Sequence, residues 1–393
     1  MRKAIIFLGV SDLNWRIVEI AKKFGYLTVC VNKNKDSLSL KKADFPKVVD
    51  SNDVVSVIDF VFSIKPRLDV RLVYSGGEFF VAKEALSSVF ELESNPMRAS
   101  IAAQNKQLMR KLFVSSKVSM PKGETVSSKK EARDASKKLR FPIILKPNNK
   151  LGGLGVCVSR GLDDFDLAYR QASQYSRNII VERFYDGTFH DVNGFFHKGK
   201  FYQAGISDKI PSGGQYKYIE GLSCPSFLSE SQKNDLYRLL EESAKAIGVS
   251  VGPVKGDAIL TDEGFLMMEI ALRFHGPLSS LYCLPFAEGT LPFEYYLSVI
   301  EGKKYAVKHP KGYVYIGEIK SDLGIIKKIS SVEEAKRIKG VQSILLNKSV
   351  GDRVKKVKSN YDILGYVHIC SDNKESALDA YRTFGQTFKV IVS

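Results

Sequence analysis

One stretch, GDAILTDEGFLMMEIALRF, reads as a hairpin that sets two acidic residues against each other, and it constrains the fold more than any other part of the chain. The DEG at 262–264 is good turn chemistry, because glycine supplies a positive φ and aspartate bonds its own backbone. A turn there pairs Asp257 with Glu269 and Ile259 with Met267, and alternation puts these side chains on one face. The Cβ atoms of the two acids are then about 5 Å apart, where like charges repel.

Such a pair of carboxylates needs a positive partner. Hard oxygen ligands suit Mg²⁺, which takes one or two carboxylates and completes its octahedron with water and phosphate oxygens. The hairpin therefore predicts a magnesium site at Asp257 and Glu269. An exposed hairpin with scattered acids is the alternative, and the hairpin alone does not decide between the two.

The bulk composition indicates a folded protein without membrane or zinc chemistry. The 393 residues suffice for two or three domains, and 44% are apolar with no low-complexity tract. No apolar run approaches the roughly 20 residues that span a bilayer, and the N-terminus turns polar too soon for a signal peptide, which predicts a cytoplasmic protein. The cysteines are odd in number and widely spaced, which predicts reduced, buried thiols. They are Cys30, Cys157, Cys224, Cys283 and Cys370.

The charge balance is basic. Lysine and arginine number 59 against 43 aspartate and glutamate residues, for a formal net charge of +16. Such an excess is compatible with nucleic-acid binding. The lysines, however, are scattered in small groups, and no RNA-binding signature or aromatic and basic stripe accompanies them. Solvated faces without a nucleic-acid partner are the favoured interpretation.

The N-terminal segment alternates strands with helices. The runs KAIIFLGV, YLTVCVN and RLVYSGG read as strands separated by helical patterns, which predicts a parallel sheet with helices on both faces. The first strand is followed by GVSDLNW, so the G-x-G-x-x-G fingerprint is absent and dinucleotide binding is a minor alternative. A cap residue followed by proline in SNP at 94–96 predicts a helix start.

The rest of the chain divides into a central and a C-terminal part. The strand FPIILKP, a glycine-rich loop, a further strand, a helix, the strand NIIVERF, a hairpin and a long amphipathic helix precede the acidic hairpin. After Tyr295 the chain becomes lysine-rich, with short strands and one helix. We expect an N-terminal domain at 1–95, a central domain at 96–300 with a small lobe at about 114–183, and an α+β unit at 301–393.

The glycine-rich segment LKPNNKLGGLGVCV supplies anion chemistry. Gly152, Gly153 and Gly155 can bring backbone N–H groups close to a phosphate. No Gly-Lys-Ser/Thr follows, so this is not a P-loop, and a glycine-rich turn between strands is the alternative. Lys146 ends the strand before the loop and Lys106 lies in QNKQLMR; ammonium groups suit a polyphosphate.

Taken in this order, the segments resemble an ATP-grasp enzyme of the carboxylate–amine ligase group, over nearly the whole length. The resemblance implies an α/β and α+β fold, with a parallel-sheet N-terminal domain, a two-lobed ATP-binding domain and a small C-terminal unit. It implies ATP and Mg²⁺ as cofactors, and a reaction that joins a small-molecule carboxylate, with an amino acid among the candidates, to an amine through an acyl phosphate.

Two alternatives stay open beside this reaction. One is a bicarbonate- or formate-activating enzyme of the carboxylase or purine-synthesis type. The other is a nucleotide-binding protein without turnover. For assembly, a homodimer is also left open.

The resemblance further implies roles for single residues. Asp257 and Glu269 would hold Mg²⁺, and Lys146 and Arg273 would be the catalytic residues, with Arg273 contacting the γ-phosphate or the acyl phosphate. The other implied residues bind ATP. They are Lys106 with Lys146 and the loop residues Asn149, Gly152, Gly153 and Gly155 for the phosphates, and Glu182, Arg183, Phe184, Ile259 and Met267 for the adenine.

The chain departs from the family pattern at two positions. The family's E-x-N-x-R has Ala271 in place of asparagine, which removes a metal-ligating amide. Phe189 stands where many members have glutamate, so the resemblance moves the ribose contact to His190 or Asp191, while a satisfied strand histidine is an equal alternative for His190. By family position, Lys209 in ISDKIPSGGQYKYIEGLSCPS is a candidate for a substrate carboxylate or an ordinary loop residue.

Overall fold

The computed structural model describes residues 1–64 and 68–393. The N-terminal elements are β1 (Arg2–Leu8), α1 (Arg16–Lys23), β2 (Leu27–Asn32), α2 (Leu38–Lys42), β3 (Phe45–Val48), α3 (Val54–Ile64), β4 (Leu68–Ser75) and α4 (Phe80–Val89). The four strands form a parallel sheet in the order β3-β2-β1-β4. β1 and β2 are apolar and buried almost throughout because both faces are covered, which confirms the predicted parallel sheet.

Two helices, α5 (Met97–Gln104) and α6 (Lys106–Ser115), lead into the central part. Pro96 occupies the cap position of α5, one residue before the predicted place. Asn95 does not cap this helix. Its side-chain amide donates to Glu84 and to the Val251 carbonyl, and its oxygen accepts from the Ser250 N–H at 2.9 Å. Asn95 therefore fastens the N-terminal unit to the central part.

The small lobe is an antiparallel sheet with two helices. Its elements are β5 (Gly123–Val126), α7 (Lys129–Leu139), β6 (Ile143–Pro147), β7 (Cys157–Ser159), α8 (Leu162–Ser173) and β8 (Ile179–Arg183). The strand order is β5-β8-β6-β7. Ala132 of α7 and Phe165 of α8 are buried with Leu145 and Val181 in one apolar cluster, so both helices pack on the same sheet.

A larger antiparallel sheet lies opposite the small lobe. Its first elements are β9 (Thr188–His197), β10 (Lys200–Pro211), β11 (Ile219–Cys224), α9 (Glu230–Ile247), β12 (Gly252–Thr261) and β13 (Gly264–Ala271). Leu236, Leu240 and Ala244 of α9 are buried against Val254 and Ala258 of β12. This helix thereby covers one face of the hairpin and leaves the other face free for polar side chains.

The C-terminal part continues the same sheet. Its elements are a π-helical segment (Leu278–Cys283), α10 (Leu284–Ala287), α11 (Pro292–Ile300), β14 (Tyr313–Glu318), β15 (Gly324–Ile329), α12 (Val332–Ala335), β16 (Val341–Leu346), β17 (Arg353–Val354), β18 (Gly365–Ser371), α13 (Lys374–Thr387) and β19 (Val390–Val392). The large sheet runs β13-β12-β9-β10-β11-β14-β18-β16. Because β11 pairs directly with β14, the expected boundary near residue 300 does not interrupt the sheet.

The cysteines and the helices bear on two expectations from the composition. All five cysteines are buried and unpaired, which confirms the predicted free thiols. Among the helices of residues 1–64 and 68–393, none combines the length and the apolar character that crossing a bilayer requires.

Candidate functional site

The hairpin of β12 and β13 aligns Asp257 with Glu269 as predicted, but by a different route. Its turn has two residues, so Ile259 pairs with Leu266 and not with Met267. An irregularity in the register next to Asp257 then inserts one extra residue on β13 and restores the opposed acids. The predicted pair of Ile259 and Met267 is therefore wrong.

The altered register changes which methionine reaches the site. Met267 is fully buried against Leu240 of α9, on the face away from the acids. Met268, its neighbour, lines the cavity described below. Ile259 shares the face of Asp257 but lies close to Gly187, outside that cavity. The adenine contacts implied for Ile259 and Met267 are thus not supported by their positions.

Three acids lie in one row across three neighbouring strands. Asp257 on β12 is opposite Glu269 on β13 and also opposite Asp191 on β9. We call these three residues the acid row. Asp191 and Asp257 are buried, so the row cannot rely on water to screen its charges.

Three lysines neutralise the acid row. Lys209 contacts Asp191 and lies 2.6 Å from Oδ1 of Asp257, so it is a residue of strand β10 at the acid row and not an ordinary loop residue. The Nζ of Lys255 is 2.7 Å from Asp257 Oδ2 and 3.3 Å from Glu269 Oε1. The Nζ of Lys106 is 3.0 Å from Glu269 Oε2. Lys255 was missed, although its place two residues before Asp257 puts it on the same strand face.

The lysines decide the ionisation of the two hairpin acids. Burial by itself raises the pKa of Asp257, but Lys209 and Lys255 outweigh it and hold that pKa well below the usual range. Burial likewise raises the pKa of Glu269, and Lys106 and Lys255 bring it below the ordinary value. Both acids are consequently carboxylates at neutral pH.

A histidine completes the buried end of the acid row. His275 Nδ1 lies 3.1 Å from Asp191 and its Nε2 lies 3.3 Å from Asp257. One ligand atom from each of these three residues falls within 4.8 Å of the others. Burial holds the pKa of His275 well below its usual value, so the imidazole is neutral. Burial also raises the pKa of Asp191, to about 7, against the opposing effect of Lys209.

A cavity of about 140 Å³ lies between the small-lobe sheet and the large sheet, at the exposed end of the acid row. It brings together residues from six parts of the chain that the sequence analysis had singled out. They are Lys106, Lys146, Gly152, Gly153, Glu182, Asp257 and Glu269. Apolar walls are provided by residues such as Met120, Ile180 and Met268.

Lys106 reaches this cavity because of two asparagines. Asn105 caps α6, its side chain accepting from the Leu108 N–H at 3.0 Å, so Lys106 begins the helix. The Asn148 side chain accepts from the Gln107 N–H at 2.7 Å and binds this helix start to the glycine-rich segment. Asn148 was not among the expected site residues, and Asn149, which was, is exposed.

Glu182 is the centre of a second ionic cluster. Its two carboxylate oxygens contact Lys146 and Arg110. Arg110 also donates to the carbonyls of Pro121 and Gly123, at 3.1 and 3.2 Å. Arg110 was missed; its place four residues after Lys106 puts both on one face of α6.

The glycine-rich loop is docked against distant segments. Gly152 and Gly153 have φ values of +64° and +74°. A Cβ on Gly153 would overlap the Lys217 carbonyl oxygen, and one on Gly152 would press on the Tyr361 ring. The Asn360 N–H donates to the Gly152 carbonyl at 2.9 Å. The glycines are thus required by these close approaches as well as by any phosphate.

Several residues with implied roles lie outside the cavity lining. Gly155 packs near Tyr175. Arg183 is exposed and stacks on Tyr185, and the ring of Phe184 lies 5.2 Å from the Lys217 ammonium group.

His190 corrects another implied contact. It lies on the face of β9 opposite to Asp191, because side chains alternate along a strand. It is fully buried, with Nδ1 2.7 Å from Asp208 and Nε2 2.8 Å from Thr188. The ribose contact is therefore not available to His190, and the alternative of a satisfied strand histidine describes it.

Arg273 forms an ion pair across two parts of the chain. Its Nε and Nη2 donate to one oxygen of Glu78, at 3.0 and 2.8 Å, and its Nη1 donates to the Phe274 carbonyl. Glu78 follows β4 at the carboxyl end of the parallel sheet, where α/β sheets place their ligands. Both side chains are 20% exposed, so the pair is within reach of a small molecule.

Known proteins are similar to this chain in sequence. Residues 104–192 match the family model of the carbamoyl-phosphate synthase L chain ATP-binding domain, and residues 321–393 match L-amino acid ligase C-terminal domain 2. The carbamoyl phosphate synthase large chain of Clostridium botulinum (strain Langeland) is 22% identical over 322 residues, 78% of this chain. The chain spans only 27% of that relative's length.

Solved structures match the fold over the whole chain. The L-amino acid ligase from Bacillus licheniformis superposes with a TM-score of 0.83 at 17% identity, covering 100% of both chains. The biotin carboxylase domain of the Hydrogenobacter thermophilus 2-oxoglutarate carboxylase, solved with MgADP and bicarbonate, gives 0.70 at 15% identity, over 100% of this chain and 91% of its own.

The two facing sheets, the lysine-lined cavity between them and these matches define a protein with the ATP-grasp fold. Two segments of the chain also match family models of such enzymes, so it is similar to ATP-grasp enzymes of the carboxylate–amine ligase group. The resemblance drawn from the sequence and the predicted fold class are thereby confirmed.

Proposed function

We propose that this chain is an ATP-dependent ligase that activates a carboxylate as an acyl phosphate and joins it to an amine, releasing ADP and phosphate. One observation carries the proposal. Lys106 and Lys146 converge with Asp257 and Glu269 on a single cavity between two sheets. Ammonium groups suit a polyphosphate, and paired carboxylates suit the magnesium ion that accompanies it.

The donor set is compatible with Mg²⁺. Asp257 and Glu269 are ionised, line the same cavity and offer hard oxygen atoms. The cation that reaches Glu269 from α6 is Lys106, whose ammonium group would turn to the phosphates when a nucleotide enters. A magnesium ion held by these two residues would offset negative charge on the phosphates.

The nucleotide would displace the ionic cluster around Glu182. Lys146 would leave Glu182 for the phosphates, and the freed carboxylate and the backbone at 183–184 would meet the adenine edge. Met268, which the bulge turns into the cavity, would take the place expected of Met267 against the base. The glycines at 152 and 153 would close over the phosphates.

In the reaction, a carboxylate oxygen of the substrate attacks the γ-phosphorus and the bond to the β-phosphate oxygen breaks, releasing ADP. The amine then attacks the acyl carbon, the carbon–oxygen bond to phosphate breaks, and the nitrogen loses a proton. Arg273 would stabilise the phosphoryl oxygens once Glu78 releases its guanidinium group. The protein supplies position and charge, without a covalent nucleophile.

The test is ADP release from Mg-ATP by the purified chain, with no addition, with pooled amino acids or with pooled small carboxylates. A parallel reaction replaces the amine with hydroxylamine, which converts an acyl phosphate to a hydroxamate. Release that depends on a carboxylate and yields hydroxamate supports the ligase, and dividing the active pool names the acid. Release that no carboxylate changes, or no release despite nucleotide binding, would contradict it.

A further inference from the structure

Lys255 occupies the part of the hairpin where a third oxygen ligand is absent. The register pairs Lys255 with Ala271, one row along the sheet from Asp257 and Glu269. Alternate residues share a face, so these four side chains form a rectangle on one side of the hairpin. Two corners are carboxylates, one is an ammonium group, and the fourth is only a methyl group.

The ammonium group of Lys255 bridges the two carboxylates. Its Nζ is 2.7 Å from Asp257 and 3.3 Å from Glu269. Its side chain is 5% exposed, against 13% for Lys209 and 19% for Lys106. Lys255 is the most deeply buried of the three cations that neutralise the acid row.

Lys106 and Lys255 differ in their access to the cavity. Lys106 lines the cavity and can turn towards an entering phosphate. Among the described residues that line the cavity, Lys255 is absent. Asn193, its partner on the neighbouring strand β9, is fully buried. Since a buried ammonium group needs its carboxylates, Lys255 stays with the acids when Lys106 leaves.

The charge balance of the acid row limits the number of divalent ions that can bind there. Asp257 and Glu269 are carboxylates and Asp191 is only partly ionised at neutral pH, so the three ammonium groups already balance or exceed the negative charge of the acid row. Departure of Lys106 frees one carboxylate oxygen of Glu269 for a divalent ion. A second divalent ion would have to sit beside the fixed charge of Lys255, with a methyl group where a third ligand is needed.

We infer that Lys255 acts as a built-in cation in place of a second divalent ion, so that the nucleotide binds with one divalent ion per chain. This inference rests on the nucleotide site of the proposed function and adds the metal stoichiometry and the residue that sets it. Lys255 would be a positioning residue for the two metal-binding acids and a fixed counter-charge for the phosphates.

Manganese binding tests the inference without requiring turnover. Mn²⁺ is titrated into the full chain with one equivalent of a non-hydrolysable ATP analogue, and free Mn²⁺ is followed by electron paramagnetic resonance. We expect one ion per chain for the wild type and for Lys255→Arg, and two for Lys255→Met with Ala271→Asn. Lys245→Met, at an exposed lysine of α9, is the matched control and should bind one.

The single variant Ala271→Asn separates the effect of Lys255 from that of the missing amide at position 271. It keeps the lysine and is expected to bind one ion; a second ion there would show that the missing amide, and not Lys255, limits the site. Two ions in the wild type would also overturn the inference, as would one ion in a folded double variant. A wild type that binds no nucleotide would instead refute the proposed function.

Discussion

Replacing Glu269 by glutamine tests whether the hairpin acids are held apart by repulsion or held together by cations. The sequence places two carboxylates in opposition, so on that basis the substitution relieves repulsion and leaves the fold intact. The structure gives the opposite sign, because Glu269 contacts Lys106 at 3.0 Å and Lys255 at 3.3 Å. Glutamine would leave those two ammonium groups with one carboxylate fewer.

The size of the loss follows from the burial of the pair. Removing one partner of a buried ion pair costs about 3–5 kcal/mol, because the remaining charge is left uncompensated. The side chain of Glu269 is 25% exposed, so water screens part of the charge. The amide oxygen of glutamine also still accepts a hydrogen bond. We therefore expect a loss of about 3 kcal/mol, at the lower end of that range.

The assay is urea unfolding without nucleotide, run beside carboxylate-dependent ADP release. Glu269→Gln should lose stability and turnover together. Glu263→Gln, an exposed acid in the turn of the same hairpin, is the control and should change stability by less than about 0.5 kcal/mol. A Glu269→Gln protein as stable as the wild type, or more stable, would refute the ion-pair description of the acid row.

Three further substitutions probe other parts of the molecule. Lys146→Met should weaken ATP binding about tenfold or more by titration calorimetry, since a charge-assisted hydrogen bond is worth about 1.5–3 kcal/mol; unchanged affinity would remove Lys146 from the phosphate site. Gly153→Ala should raise the KM for ATP, because its φ of +74° costs a side chain about 1–2 kcal/mol and the methyl overlaps Lys217, whereas Gly213→Ala, in open space, should be neutral. Equal KM values would show that loop docking does not matter. Burial raises the pKa of Glu318 from 4.5 to about 7, so the folded state holds a proton that the unfolded state releases, and the resulting stability is lost as pH rises from 4.5 to about 7. Glu318→Gln should show a smaller fall in melting temperature over that range than the wild type, and an equal fall would contradict the shift.

Local sequence patterns predicted secondary-structure elements and much of the candidate site. The runs KAIIFLGV, YLTVCVN and RLVYSGG, predicted as strands, overlap β1, β2 and β4. Turn chemistry predicted the hairpin and its opposed acids, although a bulge is what aligns them, and the order of lysine, glycine-rich loop and acidic hairpin indicated a phosphate site. These features depend on neighbours within a few residues, which a sequence displays directly.

Only the tertiary structure decided which side chains meet. The bulge exchanges Met267 for Met268 and leaves Met267 buried against α9, and a shift of one residue turns every side chain to the other face. Arg110 reaches Glu182 over 72 residues of sequence, and Arg273 reaches Glu78 over 195. Such partners are set by strand order and by the burial of charge, because a buried carboxylate must find a cation wherever the fold brings one. The sequence by itself therefore determined the elements and the kind of chemistry, while the pairing of charges across sheets and domains was decided by the packing of the whole chain.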